Sequence, residues 1–254
     1  MNTPVLEVKD LGIDFGGLTA VNKLDLIVRK HQIVGLIGPN GAGKTTVFNM
    51  LTKVYEPSRG TIKLNGKEIN RMSTVEVNKA GIARTFQNIR LFDNLSVMDN
   101  VLTGMHNSMR YSTLAGILRT PKFHEIEKAS YERALELLHI FNLQDQKDAT
   151  ASSLPYGAQR RLEICRALAT SPSLLLLDEP AAGMNPSETA ELMNTIKDIR
   201  DHFDIAILLI EHDMKFVMGI CEEITVLNYG TTLAYGRPEE IQKNPDVIKA
   251  YLGG

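Results

Sequence analysis

The stretch that most constrains this chain is IVGLIGPNGAGKTTVFNMLTKV, from Ile33 to Val54. An apolar run with no polar alternation opens it, as expected of a strand covered on both faces in a parallel sheet. A loop with three glycines follows, and then apolar residues recur at helical spacing. A strand that passes through a glycine-rich loop straight into a helix commits the chain to a layered α/β architecture. The loop itself satisfies the spacing G-x-x-x-x-G-K-[ST]. Its residues are Gly38, Pro39, Asn40, Gly41, Ala42, Gly43, Lys44, Thr45 and Thr46.

That residue pattern has a chemical reason. Glycines allow successive backbone N–H groups to turn inward around phosphate oxygens, and the helix N-terminus adds partial positive charge. Lys44 can reach the β- and γ-phosphates of a nucleotide, and the Thr45 hydroxyl can take a place on Mg²⁺. A second apolar run, LLLLDEP at Leu174–Pro180, ends in two carboxylates. Beside a phosphate loop, Asp178 is expected at the Mg²⁺ and Glu179 where it can polarise an attacking water.

The rest of the chain fits around this unit. LEVKDLGIDF and KLDLIVRK alternate like half-buried antiparallel strands, with a turn at Gly16–Gly17. SRGTIKLNGKEI reads as a short strand pair with turns at Arg59–Gly60 and Asn65–Gly66. Between about residues 91 and 169, VMDNVLTGM, EIEKASYERALELLHIF and GAQRRLEICRALA have helical spacing. The Pro- and Gly-bearing stretch from Ser108 to Phe123 reads as a surface excursion. From SLLLLDEP onward, strands and helices alternate as in a parallel sheet. The expected organisation is an α/β core from about 1–90 and 170–254, an N-terminal antiparallel element, and an inserted helical subdomain at about 91–169.

Composition excludes some partners. The net charge of −2 argues against a nucleic-acid binder, which would present a basic face. Cys165 and Cys221 match neither a disulfide nor a metal pattern and suit a reducing cytoplasm. MNTPVLEVKD lacks a signal-peptide apolar core, and no apolar run is long enough to span a bilayer. The expectation from composition is a cytosolic protein, unless something holds it at a membrane.

Together the motifs resemble the ATP-binding subunits of ABC transporters, in the expected order along almost the whole chain. RTFQN matches that family's Q-loop, which implies that Gln87 touches Mg²⁺ or the attacking water. LPYGAQ falls at the signature loop, implicating Pro155, Tyr156, Gly157 and Ala158 in ATP binding from a partner subunit. EPAAGMNP corresponds to the D-loop. IEHD matches the switch segment, implying that His212 contacts the γ-phosphate. Phe15 stands where the family stacks an aromatic on adenine. The resemblance implies a head-to-tail pair of ATP-binding subunits, separate membrane permease subunits, and ATP with Mg²⁺ as cofactors. NIRLFDNLSV lies where the family receives a permease helix through Ile89, Leu91 and Phe92, although packing inside the helical insertion accounts for those residues equally well.

Within the family the sequence is most similar to the ATPase subunits of bacterial branched-chain amino acid uptake systems. FGGLTAVNKLDL, GIARTFQNIRLF, LPYGAQRRLEICRALAT, LDEPAAGMNP, ILLIEHDMKFVM and NPDVIKAYLG carry that similarity. It implies a related second ATPase subunit and, indirectly, a solute-binding protein. The alternatives are a lipopolysaccharide-export ATPase, a soluble non-transport ABC protein, and a nucleotide-binding regulator without turnover. Two positions depart from the family pattern. Pro155 replaces the usual signature serine, and Asn185 replaces the D-loop acid.

Overall fold

The computed structural model describes residues 4–106 and 120–252, which fall into two compact units. One comprises residues up to Gln87 together with Ser173 onward, and the other runs from Asn88 to Pro172. Residues 107–119, most of the expected surface excursion, lie outside the described residues.

The first unit holds two sheets. Strands β1 (Leu6–Phe15), β2 (Leu18–Val28), β4 (Arg59–Leu64) and β5 (Lys67–Glu68) form an antiparallel sheet of order β2-β1-β4-β5. Strands β3 (Ile33–Ile37), β6 (Ile82–Arg84), β7 (Leu174–Asp178), β8 (Ala206–Ile210), β9 (Glu223–Asn228) and β10 (Thr231–Gly236) form the second, of order β10-β9-β3-β8-β7-β6. Its strands are parallel except β10, which pairs antiparallel to β9. Helices α1 (Lys44–Leu51), α2 (Thr74–Ala80), α6 (Pro186–Phe203), α7 (Met214–Ile220), α8 (Pro238–Lys243) and α9 (Pro245–Leu252) complete the unit.

Every residue of β3, β7 and β8 is buried. Val34, Leu36, Leu174, Leu176, Ala206 and Leu208 share one cluster with Val47, Phe48 and Leu51 of α1 and with Leu6, Leu24 and Ile62 of the antiparallel sheet. Alternate residues of the same strands, such as Leu175, Leu177 and Ile207, are buried outside that cluster, as a period of two requires. Each fully buried Leu or Ile contributes about 1.5–3 kcal/mol of transfer free energy. The central strands therefore anchor whatever their C-terminal ends carry.

One expected turn is a strand instead. Arg59 and Gly60 open β4, beside an irregularity in β1 where Asp10 has φ 49°. Gly60 has φ 88°, and a Cβ there would sit 2.4 Å from the Asp10 carbonyl oxygen. The glycine permits close backbone contact between strands rather than a reversal. Asn65 and Gly66, both at positive φ, do form the expected hairpin turn.

The second unit is helical, with α3 (Val97–Met105), α4 (Pro121–Ile140) and α5 (Tyr156–Leu168). Val101, Met105, Leu137, Leu138, Leu162 and Cys165 are among its buried residues. Both cysteines are buried and free, and burial pushes each thiol well above its usual value. Among the described residues no helix is long and apolar enough to cross a membrane.

Candidate nucleotide site

The phosphate loop lies between β3 and α1. Gly38 adopts φ 153°, and a Cβ on it would approach the Leu227 carbonyl oxygen to 2.2 Å, so the strand can leave the sheet here only as glycine. Gly43, at φ 103°, is the N-cap of α1, and no side chain caps that helix. Its first N–H groups are left for an anion. Lys44 is 8% exposed and curls back over the loop, its Nζ donating to the carbonyls of Gly38 at 2.7 Å and Pro39 at 3.0 Å. Burial lowers its pKa, opposed by the nearby charges of Glu179 and Asp178. A cleft of about 500 Å³ opens beside the loop, lined by Asn40 through Thr46, Gln87 and Glu179, with Leu18, Thr19, Ala20 and Tyr229.

The carboxylates sit where β7 ends. Asp178, 4% exposed, accepts from Arg84 Nη2 at 2.8 Å, and the two side chains form a buried ion pair. Arg84 also donates to Asn49 Oδ1 at 2.7 Å, linking the strand end to α1. Its guanidinium lies 5.4 Å and 5.0 Å from the ring centres of Phe48 and Phe86. Glu179 has φ 47°, a conformation that costs about 1–3 kcal/mol outside glycine, and its N–H donates to the Ile210 carbonyl at 2.9 Å. Gln87 Nε2 donates to Glu179 Oε2 at 2.9 Å, and His212 Nδ1 stands 3.7 Å from that same oxygen. Three residues drawn from three distant motifs thus meet at one carboxylate.

Thr45, Gln87 and Asp178 offer hydroxyl, amide and carboxylate oxygens, the hard donors that suit Mg²⁺. Among the described residues there is no group of three or more His, Cys, Asp or Glu able to hold a metal. A cation here would therefore be completed by substrate oxygens, as Mg²⁺ at phosphate sites is.

Phe15 stands apart from the cleft lining. It is 44% exposed and packs edge-to-face on Tyr55 with ring centres 5.3 Å apart. The aromatic that does line the cleft is Tyr229, 87% exposed at the turn between β9 and β10. Sequence reasoning passed over it, because Tyr229 is not an ordinary turn residue and only Gly230 beside it marks the turn. Arg84 was also missed, because nothing local marks its partner 94 positions away.

The signature loop, in the helical unit, begins α5. Pro155 is the N-cap at φ −55°, and no side chain caps the helix. Pro155 and Tyr156 are exposed, whereas Gly157 and Ala158 are buried. Behind the loop, Arg160 is fully buried and donates to Tyr156 Oη at 3.2 Å and to Glu163 Oε2 at 2.9 Å. The other oxygen of Glu163 accepts from the Arg90 N–H at 3.2 Å, and Arg166 donates to the Arg90 carbonyl. Asn100 holds the Phe92 N–H at 2.9 Å and its carbonyl at 3.1 Å. The segment after Gln87 is thus gripped by its main chain. Ile89 and Leu91 are half-buried there, and Phe92 is 48% exposed over Arg166.

Asn185 explains its own departure. It caps α6, accepting from the Glu188 N–H at 3.0 Å while Glu188 accepts from its N–H at 2.9 Å. Asn serves that role as well as Asp does.

Comparison with known proteins identifies the family. The family described as "ABC transporter" matches residues 21–182, and "Branched-chain amino acid ATP-binding cassette transporter" matches residues 231–254. The chain is 49% identical to the high-affinity branched-chain amino acid transport ATP-binding protein LivG of Salmonella typhimurium, over 100% of this chain and 99% of that protein. The corresponding protein BraF of Pseudomonas aeruginosa is likewise 49% identical, with the same coverage. The lipopolysaccharide export ATP-binding protein of Acidithiobacillus ferridurans is 34% identical, over 98% and 97%. Among solved structures, the ADP conformation of an ATP-binding cassette of an ABC transporter superposes with a TM-score of 0.86 at 28% identity, covering both chains in full. With a phosphate loop, a terminal carboxylate pair and likeness over its whole length, this chain belongs to the ABC transporter family and is one of its ATP-hydrolysing subunits.

Proposed function

We propose that this chain powers the uptake of branched-chain amino acids, hydrolysing ATP at the cytoplasmic face of the membrane. It works with separate permease subunits and a second ATP-binding subunit, and a solute-binding protein delivers the amino acid to the permease. The observation that carries the substrate is likeness over the full length, 49% against 34% for the lipopolysaccharide-export relative.

ATP lies with its phosphates on N–H groups of the Gly38–Thr46 loop, Pro39 having none to offer, and its adenine extends beyond the cleft lining to the exposed ring of Phe15. Lys44 Nζ exchanges the neutral Gly38 and Pro39 carbonyls for anionic phosphate oxygens, so that donor and acceptor both carry charge. Thr45, Gln87 and Asp178 would hold Mg²⁺, which would neutralise phosphate charge. Glu179 accepts a proton from water as the water oxygen bonds to the γ-phosphorus. The bond from that phosphorus to the bridging oxygen breaks, and ADP leaves. Gln87 orients the Glu179 carboxylate, and His212, its side chain 63% exposed, contacts the γ-phosphate. Pro155, Tyr156, Gly157 and Ala158 of a facing subunit close the site.

Glu179→Gln should bind ATP, accumulate a closed dimer and lose at least about 100-fold in kcat, because the water loses its base. Wild-type turnover in that variant would refute the mechanism. Deleting the gene should abolish uptake of labelled leucine, isoleucine and valine. Intact uptake would refute the substrate assignment.

A further inference from the structure

Three carboxylates are buried among the described residues: Glu163, Asp178 and Glu211. The first two face arginine guanidiniums. Glu211, 1% exposed where β8 ends, is instead held by main-chain donors from two separate loops. Its Oε1 accepts from the Ala181 N–H at 2.9 Å, two residues beyond Glu179. Its Oε2 accepts from the N–H groups of His212 at 3.0 Å and Asp213 at 3.4 Å, with His212 Nδ1 3.7 Å away. We infer that Glu211 is a positioning residue, whose two oxygens fasten the loop carrying Glu179 to the loop carrying His212.

The chemistry of the side chain supports this. An ionised carboxylate is acceptor-only at both oxygens, so it can satisfy N–H groups on either side at once. Glutamine has the same shape but would turn an NH₂ toward N–H donors on one side, releasing one loop. Burial raises the Glu211 carboxyl above its ordinary value, and the three backbone donors oppose that rise. A neutral or apolar residue would escape that desolvation, but it could not fasten both loops. The strained φ of 47° at Glu179 gives such a tether something to hold against.

The inference rests on the roles proposed above for Glu179 and His212, so the experiment includes both. Steady-state ATPase, equilibrium ATP binding and thermal unfolding would be measured on the assembled transporter carrying Glu211→Gln, Ala181→Pro, Glu179→Gln or His212→Ala. Ala181→Pro removes the same hydrogen bond from the donor side. Glu211→Gln and Ala181→Pro should each lower kcat about 10- to 100-fold, with KM and ATP affinity within about twofold of wild type, since displacement by an ångström has that effect on a rate. Wild-type kcat in Glu211→Gln would overturn the inference, as would a fall in kcat matched by an equal fall in ATP affinity or a collapse of thermal stability in both tether variants. If Glu179→Gln and His212→Ala keep full turnover, the underlying mechanism fails and this inference with it. If those two are inactive while the tether variants are normal, the tether alone is refuted.

Discussion

Replacing Arg84 by Met should unbalance the nucleotide site before any ligand binds. Both side chains of the Arg84–Asp178 pair are 6% exposed, so solvent neither screens the pair nor can hydrate Asp178 once Arg84 is gone. Breaking a buried pair by removing one partner costs about 3–5 kcal/mol, against a total stability of about 5–15 kcal/mol. With a urea m-value of about 2–3 kcal/mol/M, the unfolding midpoint should fall by about 1–2.5 M. Part of that loss belongs to the contact with Asn49 and to the flanking rings rather than to the pair. A double-mutant cycle with Asp178→Asn separates the two, because the Asn49 and ring contributions cancel in the coupling term. The expected coupling is about 2–4 kcal/mol, with Asp178→Asn recovering much of the stability lost in Arg84→Met. A coupling below about 0.5 kcal/mol would refute the reasoning and leave Arg84 as a packing residue.

Lys44→Ala should lose tight ATP binding, read by fluorescence titration with a labelled nucleotide; an unchanged affinity would remove Lys44 from the phosphate site. Gly38→Ala places a Cβ 2.2 Å from the Leu227 carbonyl oxygen, so the β3–β9 pairing must shift and the thermal midpoint should drop by several degrees, about 2–4 °C per kcal/mol lost. Pro155→Ser should be tolerated and tighten the ATP-bound dimer in light scattering, because a hydroxyl is added at an exposed N-cap. Gly157→Asp should block that dimer by setting a carboxylate against the γ-phosphate.

The phosphate loop and the strands β3, β7 and β8 were legible because a strand buried on both faces has no polar residues, and the pattern names it directly. Gln87, Glu179 and His212 could be nominated by motif, yet their meeting at one oxygen depends on how β6, β7 and β8 lie side by side. β6 is three residues long and α2 seven, too short for periodicity to register. The α2 capping box of Ser73 and Glu76 was the available signal. Arg59–Gly60 misled because glycine serves both turns and close strand contacts, and only the neighbouring backbone distinguishes them. Glu211 was passed over for a related reason: its partners are N–H groups, which every residue carries and no sequence pattern marks.

The main-chain grip on Arg90 and Phe92 separates two kinds of information in the helical unit. The path of that segment is written in Glu163, Arg166 and Asn100, side chains that belong to α5 and α3. The side chains of Ile89 and Leu91 take no part in those bonds, whereas the Phe92 ring rests on the Arg166 guanidinium that holds the Arg90 carbonyl. Substitutions at Ile89 and Leu91 can therefore alter the surface of this segment while side chains of α3 and α5 keep hold of its main chain, whereas a change at Phe92 also disturbs Arg166.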